Sequence, residues 1–268
     1  MQSEAKRLMQ EISALSHVLP WTDTARYIAA LVCNVSSIYR EKSLRAADES
    51  YRRAKLTVTA LGKTFRLVNP DLGLVREIYG RQVYFPTPEW VPKPGDSVID
   101  LGANRGIFAV LCGCLGARVI AVEAQSEFLP VAEETLRESG CKCHVKLVHG
   151  VIGATTGCLA NTQRRAQASH WGRVPPEITM RDILPLCTAG KADFLKVDIE
   201  GSEFALFQGD ADWLGKVQRI SMEVHPQFGN PAIIQEQLSS HGFRSWLVPN
   251  RRDRDKIRTF PGHCYAEK

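Results

Sequence analysis

From Ser97 onward the chain alternates short apolar runs with helical patterns, and no other feature of the sequence narrows the fold as far. Ser97–Leu101, Arg118–Glu123 and Val145–His149 read as strands, with helices at Arg105–Leu115 and Ser126–Glu138 between them. An irregular stretch from Gly150 to Arg173, rich in turn formers, has room for a small hairpin. The order then resumes with strand Ala192–Val197, helix Glu203–Gly209, strand Arg219–Val224, helix Pro231–His241, and strands at Arg244–Val248 and His263–Ala266. Such strand–helix–strand units cross over right-handed and build a mostly parallel sheet covered on both faces. The last two strands have no helix between them, so the final one is expected to insert antiparallel. The expectation is an α/β, doubly wound, Rossmann-like, mostly parallel sheet of seven strands.

The region upstream is different. Leu8, Ile12, Leu15 and Val18 recur at helical spacing, a second apolar segment runs from Tyr27 through Ile38, and residues 1 to about 52 read as helical. Ala54–Val68 alternates around Leu61-Gly62-Lys63 and reads as a hairpin. A connector then ends at the turn cluster Pro92-Lys93-Pro94-Gly95-Asp96. The 268 residues therefore divide into an N-terminal segment, 1–95, expected to act as a lid or dimer contact, and a sheet domain, 96–268. The N-terminal helices are the candidates for a homodimer contact.

Composition excludes several classes. With 44% hydrophobic and 24% charged residues the chain is neither disordered nor fibrous. The longest apolar runs, Ile28–Val32 and Phe108–Leu115, fall short of the roughly 18 to 20 residues of a membrane span. Met1-Gln-Ser-Glu-Ala-Lys-Arg7 has no signal-peptide pattern, and the location read from it is cytoplasmic. The net charge, 34 − 29 = +5, is spread thinly. Its densest run, Arg251–Arg258, is broken by Asp253 and Asp255 and reads as a solvated loop, so no nucleic-acid partner is expected. The eight cysteines read as reduced, buried apolar thiols, because the Cys112/Cys114 and Cys141/Cys143 spacings are too tight for structural zinc.

The chemistry-bearing residues lie at strand ends. Val98-Ile-Asp100-Leu-Gly102-Ala-Asn104-Arg-Gly106 is an apolar strand running into a glycine turn that opens a helix. Gly102 and Gly106 permit close backbone approach where open α/β sheets bind cofactors. A dinucleotide fingerprint would place a glycine where Asn104 stands. S-adenosylmethionine has no phosphate and does not need it. Asp100 is expected to engage the methionine ammonium, directly or through water, and the amides near Gly102 to approach the methionine tail. Glu123, in Val122-Glu123-Ala124, ends the next strand about 20 residues on, where a carboxylate holds ribose hydroxyls. The cofactor-binding expectation covers Asp100, Gly102, Asn104, Gly106, Glu123, Ala124, Val151 and Asp198. Asp193-Phe-Leu-Lys-Val-Asp198-Ile-Glu200-Gly-Ser-Glu203 and Ser221-Met-Glu223-Val-His225-Pro226 put further acids and a histidine at the same rim. Packing does not explain Asp198 and Glu200, whereas Ser202 and Glu203 also suit a helix start.

These residues resemble the FkbM-type family of S-adenosylmethionine-dependent methyltransferases, from Asp96 to the C-terminus. The resemblance rests on Pro94-Gly-Asp96 leading into Asp100–Gly106, on Glu123, on Phe194–Glu203 and on Met222–His225, with the Lys-x-Asp-x-Glu-Gly string its most specific part. It implies the class I methyltransferase sheet and methyl transfer to oxygen, commonly a hydroxyl of a sugar, polyketide or other specialised metabolite. Asp198, Glu200 and His225 are the expected catalytic residues, one of them taking the hydroxyl proton. Oxygens of Asp198, Glu200 and Glu223 also offer a divalent-ion site, the less favoured reading, and no metal is assigned. Methylation of RNA or protein, a nicotinamide oxidoreductase on a similar sheet and a non-catalytic binding module are the competing readings. The first fifty residues match no recognised pattern and are where substrate choice is expected to lie, together with Arg164, Arg165, His170, Trp171 and the Arg251 loop.

Overall fold

The computed structural model describes residues 2–153, 175–249 and 262–268. Arg164, Arg165, His170, Trp171, the Arg251–Arg258 run and the suggested small hairpin lie outside the described residues, apart from positions 150–153 at the start of that stretch. The N-terminal segment contains α1 (Gln2–Ser16), α2 (Trp21–Cys33), α3 (Val35–Glu41) and α4 (Arg45–Ser50), then a hairpin of β1 (Lys55–Ala60) and β2 (Lys63–Val68). The connector read from the sequence contains α5 (Leu72–Val75), started by Asp71, whose carboxylate accepts from Gly73 N at 2.7 Å, and a π-type turn over Arg76–Gly80. A helix this short leaves no periodic signature.

The sheet domain follows the expected order, with a short helix, α8, that the sequence reading did not include: β3 (Ser97–Leu101), α6 (Ile107–Cys114), β4 (Arg118–Glu123), α7 (Leu129–Glu138), β5 (Val145–His149), α8 (Met180–Ile183), β6 (Ala192–Val197), α9 (Glu203–Gln208), β7 (Val217–Val224), α10 (Pro231–Ser240), β8 (Arg244–Pro249) and β9 (Gly262–Glu267). Its seven strands lie in the order β5-β4-β3-β6-β7-β9-β8. β9 inserts antiparallel between β7 and β8, as expected, and the other neighbours run parallel. Two helices start later than their patterns suggest. α6 begins at Ile107 because Gly106 sits at φ +77, outside helical geometry, and α7 begins at Leu129 with a proline in its first turn.

β3 is buried at every position, as a central parallel strand covered on both faces must be. On one face Val98, Phe108 and Phe194 pack in a single apolar cluster with Leu15, Tyr27, Leu56, Phe65, Tyr79 and Trp90 of the N-terminal segment. On the other, Ile99, Leu195 and Ile220 meet Phe204 and Leu238. The N-terminal segment therefore shares the cover of one face of the sheet with α6 and α7. Arg76 pins it from within, with paired bonds to Asp48 at 2.7 and 2.8 Å and a third to the Tyr27 hydroxyl at 3.2 Å. No helix among the described residues is long and apolar enough to cross a membrane. The thiols differ in part from the expected core role: Cys112, Cys141, Cys187 and Cys264 are buried, but Cys33 and Cys143 are exposed.

Candidate functional site

Alternation along parallel strands puts every second residue on one face, and register then lines those residues up across the sheet. Asp100 of β3 pairs with Lys196 of β6, Lys196 with Ser221 of β7, and Ser221 with Tyr265 of β9. These groups lie on the face covered by the N-terminal segment. Two residues further along, β7 and β9 pair Glu223 with His263. A polar row thus runs under the carboxyl ends of the strands.

Above it opens a cleft of about 900 Å³ including its mouth. Gly102, Asn104, Glu123, Ala124, Val151 and Asp198 of the expected set line it, with Glu200 at its edge. Gly102 owes its identity to the chain itself: at φ +78, a Cβ there would stand 1.7 Å from the Asp198 carbonyl oxygen. Its missing side chain lets the β6–α9 turn approach the β3–α6 turn. Gly106 and Asp100 do not line the cleft. Gly106 turns the chain into α6 against Ala132, and Asp100 is fully buried. Lys196 lies between Asp100 and the cleft, with Nζ 2.9 Å from Asp100 Oδ1, donating to Gly102 O at 2.9 Å and lying 3.8 Å from Asp198 Oδ2. Burial works against the ammonium, but the Asp100 and Asp198 carboxylates outweigh it and raise its pKa above the usual lysine value. Burial pushes the Asp100 carboxyl upward, with Lys196 pulling the other way.

Glu123 holds the turn opposite. Its two oxygens accept from Asn104 N and Gln125 N, each at 2.6 Å, and burial raises its pKa against those bonds. Asn104 sits at φ +51, a conformation asparagine tolerates better than most residues.

The expected catalytic residues come together at the other end. An oxygen of Asp198, one of Glu200 and a nitrogen of His225 lie within 4.8 Å of one another. Asp198 is held by Tyr84, whose hydroxyl donates to Oδ2 at 2.9 Å. His225 is buried and is not part of the cleft lining. Its Nδ1 lies 3.1 Å from Glu203 Oε1, its backbone N donates to the same oxygen at 2.6 Å, and its Nε2 is 3.5 Å from exposed Glu200. Burial disfavours the imidazolium, but Glu203 and then Glu223 and Glu200 outweigh burial and raise His225 to about 9. Glu203, which also suits a helix start, is fully buried and pins both His225 and the Gly201 amide.

The sequence matches the Methyltransferase FkbM domain over residues 100–245, more than half of the chain. The chain belongs to the FkbM methyltransferase family. S-adenosylmethionine is its cofactor. No curated protein matches the sequence. Among solved structures the chain is similar to precorrin-6y C5,15-methyltransferase from Geobacter metallireducens, with 13% identity, 66% of this chain and 82% of that one covered, and a TM-score of 0.40. An rRNA methylase from Streptococcus thermophilus gives 13% identity, 66% and 89% coverage and a TM-score of 0.40. SMU.1697c from Streptococcus mutans, solved in complex with SAH, gives 14%, 66% and 91%, and 0.44. The family assignment stands on the sequence match alone.

Several groups of this FkbM-family site are not legible in sequence. Tyr84 and Glu77 come from the connector, which carries no motif, and His263 comes from the last strand. Lys196 opens the Lys-x-Asp-x-Glu-Gly string, but only its pairing with Asp100 shows its role. Burial, with the Asp198 and Glu77 carboxylates next, pushes Glu223 up to about 8, whereas burial pushes His263 down to about 4.

Proposed function

We propose that this FkbM-family enzyme transfers the methyl group of S-adenosylmethionine to a hydroxyl of a small, polyhydroxylated molecule such as a sugar or specialised metabolite. The observation that carries the reading is the set of carboxylates beside the cofactor cleft, Asp198, Glu200 and Glu223 at the strand ends and Glu77 from the π-type turn. Carboxylates accept hydrogen bonds from hydroxyls and repel the phosphates of a nucleic acid.

The cleft suits the cofactor. Val151 and Ile152 with Ala124 offer an apolar wall for a flat base, Glu123 a carboxylate for the ribose hydroxyls, and the Gly102–Asn104 turn an approach for the methionine tail. Asp100 acts through Lys196 rather than by direct contact, since it is fully buried. When bound, S-adenosylmethionine supplies a methyl group on a sulfonium. Asp198 takes the acceptor's hydroxyl proton: it lines the cleft, and Tyr84 and Lys196 both engage its Oδ2, leaving Oδ1 unused by either. His225, behind the cleft wall, supports Glu200 and Asp198 by charge. The N-terminal segment supplies Leu74, Ile78 and Tyr84, a fixed wall of the site that helps select the acceptor. Alignment and exclusion of water contribute most of the rate, about 7 to 11 kcal/mol in well-oriented reactions.

Asp198→Asn tests the assignment. Turnover is expected to fall by about 100-fold or more, the scale of general base catalysis, while S-adenosylmethionine affinity measured by calorimetry stays near wild type. Unchanged turnover would remove Asp198 from the chemistry.

A further inference from the structure

Beside the cofactor cleft, the same face of the sheet gathers a second cluster, in which two of the acceptor-end carboxylates, Glu77 and Glu223, meet His263. Glu223 and His263 are direct cross-strand partners, and Glu77 reaches them from the π-type turn. One oxygen from each glutamate and one ring nitrogen of His263 lie within 4.8 Å of one another. Two observations separate this set from an ordinary group of surface acids. Glu223, half-buried, has no hydrogen-bond or ion-pair partner among the described residues. Nε2 of His263 is buried without a partner, and so is Oγ of Ser221, which lies two positions before Glu223 on the same face of β7. Arg81 answers part of the charge, at 3.5 Å from Glu77 Oε2. Carboxylates and imidazole nitrogens withdrawn from water without partners are costly, and a bound cation relieves that cost.

We propose that Glu77, Glu223 and His263 bind a divalent transition-metal ion, with water or an acceptor oxygen completing its coordination. Two carboxylates and one imidazole favour manganese(II) or zinc(II) over calcium, which prefers oxygen ligands throughout. Two of the three ligands, Glu77 and His263, lie outside the matched residues 100–245, and Glu223 lies within them. Next to Asp198, such an ion would polarise the acceptor oxygen, a consequence that rests on the proposed hydroxyl methylation. Binding itself does not depend on that reaction.

The test uses the full chain, stripped with a chelator and titrated separately with manganese(II), zinc(II) and magnesium(II) chloride by calorimetry, with manganese binding also followed by electron paramagnetic resonance. Saturable binding of manganese(II) or zinc(II), stronger than that of magnesium(II), is expected. Glu223→Gln, Glu77→Gln and His263→Ala should each weaken it by about tenfold or more, while His225→Gln, which removes a neighbouring positive charge, does not weaken it. Should His263→Ala fail to fold, the two glutamine variants carry the same comparison. The proposal is overturned if the stripped protein binds none of these ions, or if the variants bind as wild type does. It is also overturned if His225→Gln abolishes binding, which would move the ion to the Asp198 group, or if an amine-bearing acceptor binds in place of the metal. Methyl transfer without metal binding would leave the enzymatic reading standing and this one refuted.

Discussion

Lys196 joins the two halves of the site: its ammonium contacts buried Asp100, the Gly102 carbonyl and Asp198, and lies 5.3 Å from the Tyr84 ring centroid and 5.9 Å from that of Phe108. One buried cation thus sets the position of both the glycine turn and the acid assigned to proton transfer. At the opposite wall, Glu123→Ala is expected to weaken S-adenosylmethionine binding by about 1 to 3 kcal/mol, the cost of losing a charged hydrogen-bonding group, measurable by calorimetry. The same change releases the Asn104 and Gln125 amides, so Glu123→Gln should lose less. His225 yields a pH prediction. Its folded pKa of about 9 lies above the ordinary histidine value of 6.5, so the folded state holds the proton more tightly. Its contribution to stability is complete below about pH 6.5 and is lost as the pH rises through about 9. Denaturant unfolding of chelator-treated protein across that window should show stability falling with pH, and His225→Gln should flatten the fall. An unchanged slope would contradict the charge assigned to His225.

The strands and helices of the sheet domain are legible because their periodicities differ, two residues against 3.6, and glycine turns mark the crossings. Strand ends are legible for the same reason: an acid after an apolar run, as at Asp198 or Glu123, breaks the pattern that packing alone would write. The connector is not, because α5 and the π-type turn are too short to repeat any period, yet they carry Glu77 and lead into Tyr84. Their position depends on Arg76, 7% exposed in its side chain and bound to Asp48 of α4. Removing Asp48 takes away both paired bonds and leaves the buried guanidinium to the Tyr27 hydroxyl and to Glu11, 3.3 Å from its Nε. Asp48→Ala should therefore destabilise the protein by about 3 kcal/mol in denaturant unfolding. Because the π-type turn would loosen, the surviving folded fraction should show a raised acceptor KM with cofactor affinity little changed. A loss below about 1 kcal/mol, the level of an exposed pair, would mean that the turn is held by its apolar contacts instead.

At the scale of the molecule, one sheet is covered differently on its two faces. Crossover helices cover both, and on one face the N-terminal segment joins α6 and α7 and brings its own side chains to the strand ends. Alternation along the chain reveals the sheet but not which face an added segment covers, because that depends on contacts between residues far apart, such as Leu15 with the cluster that includes Phe108 and Phe194. In the proposed reading the site pairs a cofactor cleft with a carboxylate-rich acceptor end. The most direct measurement is methyl transfer from isotopically labelled S-adenosylmethionine, with hydroxylated small molecules, RNA and protein offered in parallel and the products located by mass spectrometry. The label is predicted on an oxygen of a polyhydroxylated small molecule, and lost with Asp198→Asn; label confined to RNA or protein, or to nitrogen or carbon, would contradict the account.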